Sequence, residues 1–283
     1  TIDSCQQQIE LNWNAYENWA DGVESYEILL STNGSSFIVH DLIGGNFTSY
    51  TYNQAQDGDL LVFKISAVER NRNNKAISNE LVFNVQTNRP MNFMHLTQIT
   101  VNAAQQIELQ WTWDTDVDFD MAQLLKGVDS NNLNPIQTIS PPIISNNTYT
   151  ETTVAVQNST YYFKLESTDL CQLRTTSNIG RTILLEGQAM DNFENNLSWT
   201  PAYLENGTLE SYDIFKITNG NTQLLANVDS NTLHYIDPVD INNQSEAQKC
   251  YLVRANLMLK FPGGQNYFSF SNSNTICVNQ RSK

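Results

Sequence analysis

Apolar and polar positions alternate between residues 8 and 31. Ile9, Leu11 and Trp13 fall on one phase and Glu10 and Asn12 on the other, the period-two signature of a strand with one buried face. A polar connection containing Trp19, Asp21 and Gly22 leads to a second alternating run through Tyr26, Ile28 and Leu30. The pattern predicts strand, loop, strand, with a large aromatic turned inward near the end of the first strand. It recurs: QIELQW ends at Trp111, NNLSW ends at Trp199, and ESYDIFK follows with Tyr212, Ile214 and Phe215. Trp13 to Tyr26 and Trp199 to Tyr212 each span thirteen positions.

Two further blocks repeat in the same order. LLVFKISAVE, YYFKLESTD and KCYLVRANL place Phe63, Phe163 and Tyr251 at 50, 52 and 52 positions after their tryptophans. Alternate residues of these runs are apolar, as in a central strand. A Ser-Asn pair then introduces the last strand: Ser78-Asn79, Ser177-Asn178 and Ser273-Asn274. Helical periodicity is nearly absent, and turn pairs such as Asn33-Gly34 and Asn219-Gly220 punctuate short runs. Asn88-Arg89-Pro90 closes the first unit, and residues 186–191 join the second to the third. The prediction is an all-β chain of three tandem immunoglobulin-like β-sandwiches over residues 1–88, 89–187 and 188–283, each of a size suited to seven strands. In each, the inward tryptophan (Trp13, Trp111, Trp199) is expected to pack on the central-strand aromatic (Phe63, Phe163, Tyr251). The middle unit is least regular, because its second strand near residues 121–125 lacks the Tyr-x-Ile pattern.

Composition narrows the partners. Fifteen Lys and Arg against thirty Asp and Glu leave a net charge of −15 and a pI near 4.4. That field repels phosphate backbones and anionic bilayers, which argues against nucleic acid and lipid surfaces. No apolar run approaches the roughly 20 residues of a membrane span. Charged residues are 16% of the chain and Asn, Gln, Ser and Thr fill the surface, which suits an exported or wall-exposed protein. Thr1 opens directly in domain-like sequence without a basic-then-apolar export signal, which reads as a mature or trimmed chain.

The inward tryptophan, the aromatic central strand about 50 residues on, and the absence of an inter-sheet Cys pair resemble fibronectin type III modules. The blocks IELNWNAYENWADGVESYEI, STDLCQLRTTSNIGRTILL and CYLVRANL with SNSNTICV resemble, more narrowly, the tandem modules upstream of the sorting domain in gliding-motility-associated, type IX-secreted surface proteins of Bacteroidetes. The resemblance covers essentially the whole chain. It implies an exported protein, displayed on or released from the outer membrane, often adhesive, with a sorting domain beyond Lys283. It also makes the strands of Cys250 and Cys277 neighbours in one sheet, so that a disulfide joins them if they face each other, two buried thiols being the alternative. Cys5 and Cys171 lie one module apart and are expected to be unpaired, or Cys5 to have a partner in an upstream domain. A Cys5–Cys171 bridge is the minority reading, because it requires the array to fold back.

Other candidates carry two readings each. Asp114, Asp116, Asp118 and Asp120 stand at every second position and offer oxygens to Ca²⁺, the one cofactor considered. The EF-hand order fails at Phe119 and Leu125, and a solvated acidic loop serves equally well. Tyr16, Trp19, Trp113 and Tyr203 follow the repeat tryptophans in loops at one sandwich end, where they either stack on glycans or partner proteins or cap their own core. His40, His95 and His234 fall one per module, and no Gly-x-Ser-x-Gly elbow, phosphate loop or His-Glu-x-x-His is present. Asn-x-Ser/Thr triplets at Asn33, Asn46, Asn146, Asn158, Asn196, Asn206 and Asn243 follow from an Asn-rich composition. The expectation is a non-enzymatic spacer and adhesion region at the cell surface, touching cell-surface or secretion-machinery proteins, with glycans as a further partner class. The alternatives are a carbohydrate- or protein-binding module using the loop aromatics, and an accessory region of a secreted enzyme.

Overall fold

The computed structural model describes residues 1–71, 74–191, 193–239, 248–261 and 264–279. Asn243 lies outside the described residues. The chain divides into two compact units, Thr1–Arg89 and Pro90–Lys283. Every regular element among the described residues is a strand.

The first unit is one sandwich. One sheet orders β1 (Ile2–Asp3), β2 (Gln8–Asn12) and β5 (Ser49–Tyr52) as β1-β2-β5. The other orders β4 (Ile38–Gly44), β3 (Val23–Thr32), β6 (Leu60–Glu69) and β7 (Lys75–Ile77) as β4-β3-β6-β7, and β8 (Leu81–Asn84) also pairs with β6. Alternation decides what goes inside: Ile9 and Leu11 of β2 meet Ile28 and Leu30 of β3 and Leu61 and Phe63 of β6. The β3–β4 turn runs through Asn33 and Gly34 at φ of 52° and 79°, the left-handed pair that matches the twist of a tight hairpin.

The second unit holds two sandwiches of the same plan. In one, β9 (Met94–Val101), β10 (Ile107–Trp113) and β13 (Asn146–Glu151) form the small sheet. Its large sheet contains β11 (Phe119–Asp129), β12 (Asn132–Ile139), β14 (Tyr162–Asp169), β15 (Arg174–Thr176) and β16 (Gly180–Arg181). In the other, β17 (Leu185–Ala189), β18 (Glu194–Trp199) and β22 (His234–Pro238) form the small sheet. β20 (Gly207–Thr218), β21 (Asn221–Asp229), β23 (Gln248–Lys260), β24 (Asn266–Asn272) and β25 (Ile276–Asn279) form the large one. The remaining strand, β19 (Tyr203–Leu204), belongs by sequence to the last sandwich but pairs with β16 of the one before.

These two sandwiches share a seam. Gly180 and Arg181 pair with Leu204 and Tyr203, and the Arg181 guanidinium donates to the Pro201 carbonyl at 2.6 Å. A Cβ on Gly180 would come within 2.5 Å of Ile99 Cδ1 and 2.7 Å of Leu204 Cδ1, so the space beside this glycine is filled by the ends of those two side chains. β24 lies against β9 and is joined to it by side chains: Ser269 and Ser271 hydroxyls donate to the Thr97 and Ile99 carbonyls at 2.6 and 2.5 Å, and Gln98 Nε2 donates to the Phe270 carbonyl at 3.1 Å. β23 feeds both interiors. Tyr251, Val253 and Ala255 enter the core of the third sandwich, while Leu257 and Leu259, farther along the same face, enter that of the second.

The Ser-Asn pair proves to be a corner device. In each repeat the serine hydroxyl accepts the central-strand amide, from Ile65, Leu165 or Val253 at 2.9, 2.8 and 3.0 Å. It donates onward to the carbonyl of the following asparagine. In the second and third sandwiches the asparagine then ties the two sheets together. Asn178 takes the Leu96 amide at 2.7 Å and donates to the Leu96 carbonyl at 3.1 Å. Asn274 does the same to Leu185 at 2.7 and 2.9 Å. A carboxamide carries one donor side and one acceptor side and so replaces a strand residue in the ladder.

Candidate functional site

The loop aromatics turn towards their own cores. Tyr16 and Trp19 are half-buried with ring centroids 4.4 Å apart, and both pack on the cluster of Val23, Tyr26 and Ala67. The Tyr26 hydroxyl accepts the Tyr16 amide at 2.9 Å, and in the third sandwich the Tyr212 hydroxyl accepts the Ala202 amide at the same distance. Each tyrosine meets its repeat tryptophan edge to face, Trp13–Tyr26 at 5.4 Å and Trp199–Tyr212 at 5.5 Å. The nearest aromatic partner of these two tryptophans is thus the second-strand tyrosine, with Phe63 and Tyr251 elsewhere in the same cores.

The middle repeat lacks that tyrosine, since Ala122 occupies its place on β11, and Trp113 fills the space instead. Trp113 is 2% exposed, lies between Trp111 and Phe119 at 6.0 and 5.6 Å, and donates its indole N–H to the Ile144 carbonyl at 2.7 Å. Of the two readings of Trp113, ligand platform or cap over its own core, the buried indole fits the cap, since it has no free face for a sugar ring. Tyr203 stays 44% exposed on β19, a position fixed by the strand pairing of the seam.

Of the aspartates, Asp114 accepts from the Asn92 carboxamide at 3.1 Å, and Asp118 receives the Leu170 amide on its backbone carbonyl at 3.1 Å. Asp116 and Asp120 are exposed. Among the described residues no three His, Cys, Asp or Glu side chains converge into a metal-holding group.

Cys250 and Cys277 form a disulfide, facing each other in register across β23 and β25. Cys5 and Cys171 are also disulfide-bonded and no free cysteine remains, which corrects the expectation that both are unpaired thiols.

A buried polar cluster in the third sandwich went unread in the sequence. The Tyr251 hydroxyl donates to Asp237 at 2.6 Å and accepts from the Asn195 carboxamide at 2.7 Å, and Lys216 Nζ lies 2.9 Å from Asp237. Asn195 and Asp237 are 0% and 2% exposed, so each group is held by its partners rather than by water. The signals were present: Tyr251 stands where the other repeats have phenylalanine, and Asn195 stands on the inward phase of its strand, where Ile9 and Ile107 stand in the others. In the second sandwich Glu151, 3% exposed, pairs with Lys126 at 3.0 Å. Burial raises its pKa, but the bonds from Thr153 and from Lys126 outweigh it and leave the carboxyl below its ordinary range. His95 sits at the seam between Phe93 and Phe261 at 6.0 and 5.6 Å. Burial lowers its pKa, against a hydrogen bond with Asn178 that pulls the other way.

The sequence matches no family model and no curated protein. The crystal structure of chicken CNTN1 FN1-FN3 domains aligns with 99% of this chain and 96% of its own length, at 13% identity and a TM-score of 0.32. A superposition that loose carries no argument.

Proposed function

We propose that this chain is a non-enzymatic, extracellular spacer within an adhesive surface protein, holding neighbouring domains or partners away from a cell surface. The observation that carries the reading is the use made of the chemistry-bearing side chains. Trp113, Tyr16, Trp19, Asn178, Asn274 and the Tyr251–Asp237–Lys216 group are all spent on joining strands and sheets. The pairing of all four cysteines supports an oxidising compartment, and the acidic, Asn- and Thr-rich composition supports protein partners over nucleic acid or membrane surfaces. Export across a bacterial outer membrane by the type IX route, with a sorting domain beyond Lys283, is the finer form of the proposal. It rests on the resemblance of the repeat blocks.

The test is replacement. In a host that displays the full protein, exchanging these residues for an unrelated array of three sandwiches should preserve surface display and adhesion by the flanking domains. Loss of adhesion with display intact would instead assign a specific binding role to the region itself.

A further inference from the structure

The outer face of the large sheet in the third sandwich carries a cluster that its counterparts lack. Tyr251, Val253 and Ala255 of β23 and Tyr212 and Ile214 of β20 enter the core, so Arg254 and Asn256, Asp213 and Phe215 stand on the opposite face. Register adds Phe270 and Asn272 of β24 and Asn227 of β21 to that face. The Arg254 guanidinium lies between the Phe215 and Phe270 rings at 5.0 and 4.8 Å, and its Nε donates to Asn272 Oδ1 at 2.9 Å. That is its one hydrogen bond among the described residues, so the two terminal nitrogens are left over. The neighbouring carboxylate does not take them: Asp213 accepts from Asn227 and Asn256 at 2.6 and 3.0 Å. Phe268, two residues earlier on β24 than Phe270, is 71% exposed. The fold does not require the arginine. Ile65, Leu165 and Val253 are equivalent through their serine bonds, and the residues that follow them are Ser66, Glu166 and Arg254.

We propose that this face binds a glycan that ends in an acidic sugar, with the sugar carboxylate on Arg254 and a ring face on Phe268. A guanidinium offers two parallel N–H bonds to a planar carboxylate. Here two rings and Asn272 hold its plane before any ligand arrives, which reduces the side-chain freedom lost on binding. The C–H face of a sugar ring complements the negative face of an exposed aromatic. Asn256 spends both carboxamide protons on Ser211 and Asp213, at 3.0 Å each, and keeps its oxygen as an acceptor for a ligand hydroxyl. Net charge limits the ligand. At −15 the chain repels a polyanion, so the fit is to one carboxylate at the end of an otherwise neutral glycan. A sugar ring also suits the site better than an extended peptide, because β23 is paired on both sides, with β20 and β24, and has no main-chain edge to offer. One such site adds a lateral contact to the spacer and leaves adhesion to the flanking domains.

The experiment titrates the full chain with a trisaccharide ending in glucuronic acid and follows its backbone amides by NMR. Shifts are expected at residues 252–256 and 268–272. The same trisaccharide ending in glucose should bind about tenfold more weakly. A loss of about the same size is expected from Arg254→Lys, which keeps the charge but not the fork, and from Phe268→Ala, a change at an exposed position. Circular dichroism confirms that each variant is folded. No shifts with the acidic sugar at millimolar concentration, equal affinity for the neutral one, or unchanged affinity in both variants would overturn the proposal. So would a hexapeptide with a single glutamate that binds as tightly as the acidic sugar, since the occupant would then be a peptide.

Discussion

Ser78-Asn79 and Ser273-Asn274 are the same dipeptide at the same place in two repeats, and they end in opposite environments. Ser78 and Asn79 are exposed, and Asn79 Nδ2 donates to the Glu80 carbonyl at 3.2 Å. Ser273 and Asn274 are 1% and 0% exposed, with Asn274 closing the sandwich onto Leu185. The serine half of the device works alike in both, because its partner lies on the adjacent central strand, 13 positions back in the first repeat and 20 in the third. The asparagine half depends on a strand 82 or 89 positions away in sequence. A local motif thus fixes local geometry everywhere, while its energetic weight is decided by what the fold brings opposite it.

The largest separation between the regions is expected from the tryptophans. Trp199→Ala should cost about 3–5 kcal/mol through the cavity it leaves in a closed core, whereas Trp13→Ala, at a half-buried site, should cost roughly half as much. Denaturant titrations of the two variants check this, and equal losses would break the contrast. Replacing Cys250 and Cys277 together by alanine should destabilise the third sandwich by about 3 kcal/mol, as expected for a cross-link over 27 residues.

The asparagines come next. Asn274→Ala or Asn178→Ala should cost about 2 kcal/mol, because a buried amide and carbonyl of the first strand lose their partner. Asn79→Ala should stay within about 0.5 kcal/mol. A large effect at Asn79 would mean its exposed carboxamide already carries a sheet-joining role. The smallest effect is one of pH. The lowered pKa of His95 means the unfolded chain binds the proton more readily. Stability of the second unit is then fully present above the ordinary histidine range near about 6.5 and declines as pH falls towards the folded value. His95→Gln should flatten that slope in a stability-against-pH series.

What was legible in the chain follows the same division. Period-two alternation marks β23 as a strand, and its inward residues Tyr251, Val253, Ala255, Leu257 and Leu259 are all buried. Alternation says nothing of which core each enters, and the strand changes cores between Ala255 and Leu257. The missing tyrosine of the middle repeat was visible as a broken Tyr-x-Ile pattern. That Trp113 fills its place was not, because the compensation comes from another strand. The seam is the least legible feature. Its bonds run from Ser269, Ser271 and Gln98 to backbone atoms across 172 positions, and serine in an exposed-looking alternation gives no sign of a buried partner.

The central claim is that the second and third sandwiches form one cooperative body through that seam. Hydrogen exchange on Trp199→Ala tests it most directly, at a denaturant concentration where the variant is still mainly folded. The account predicts faster exchange in β10 and β14 of the second sandwich as well as in β18 and β23 of the third. Acceleration confined to the third, with β10 and β14 unchanged, would show two sandwiches that touch without sharing their stability.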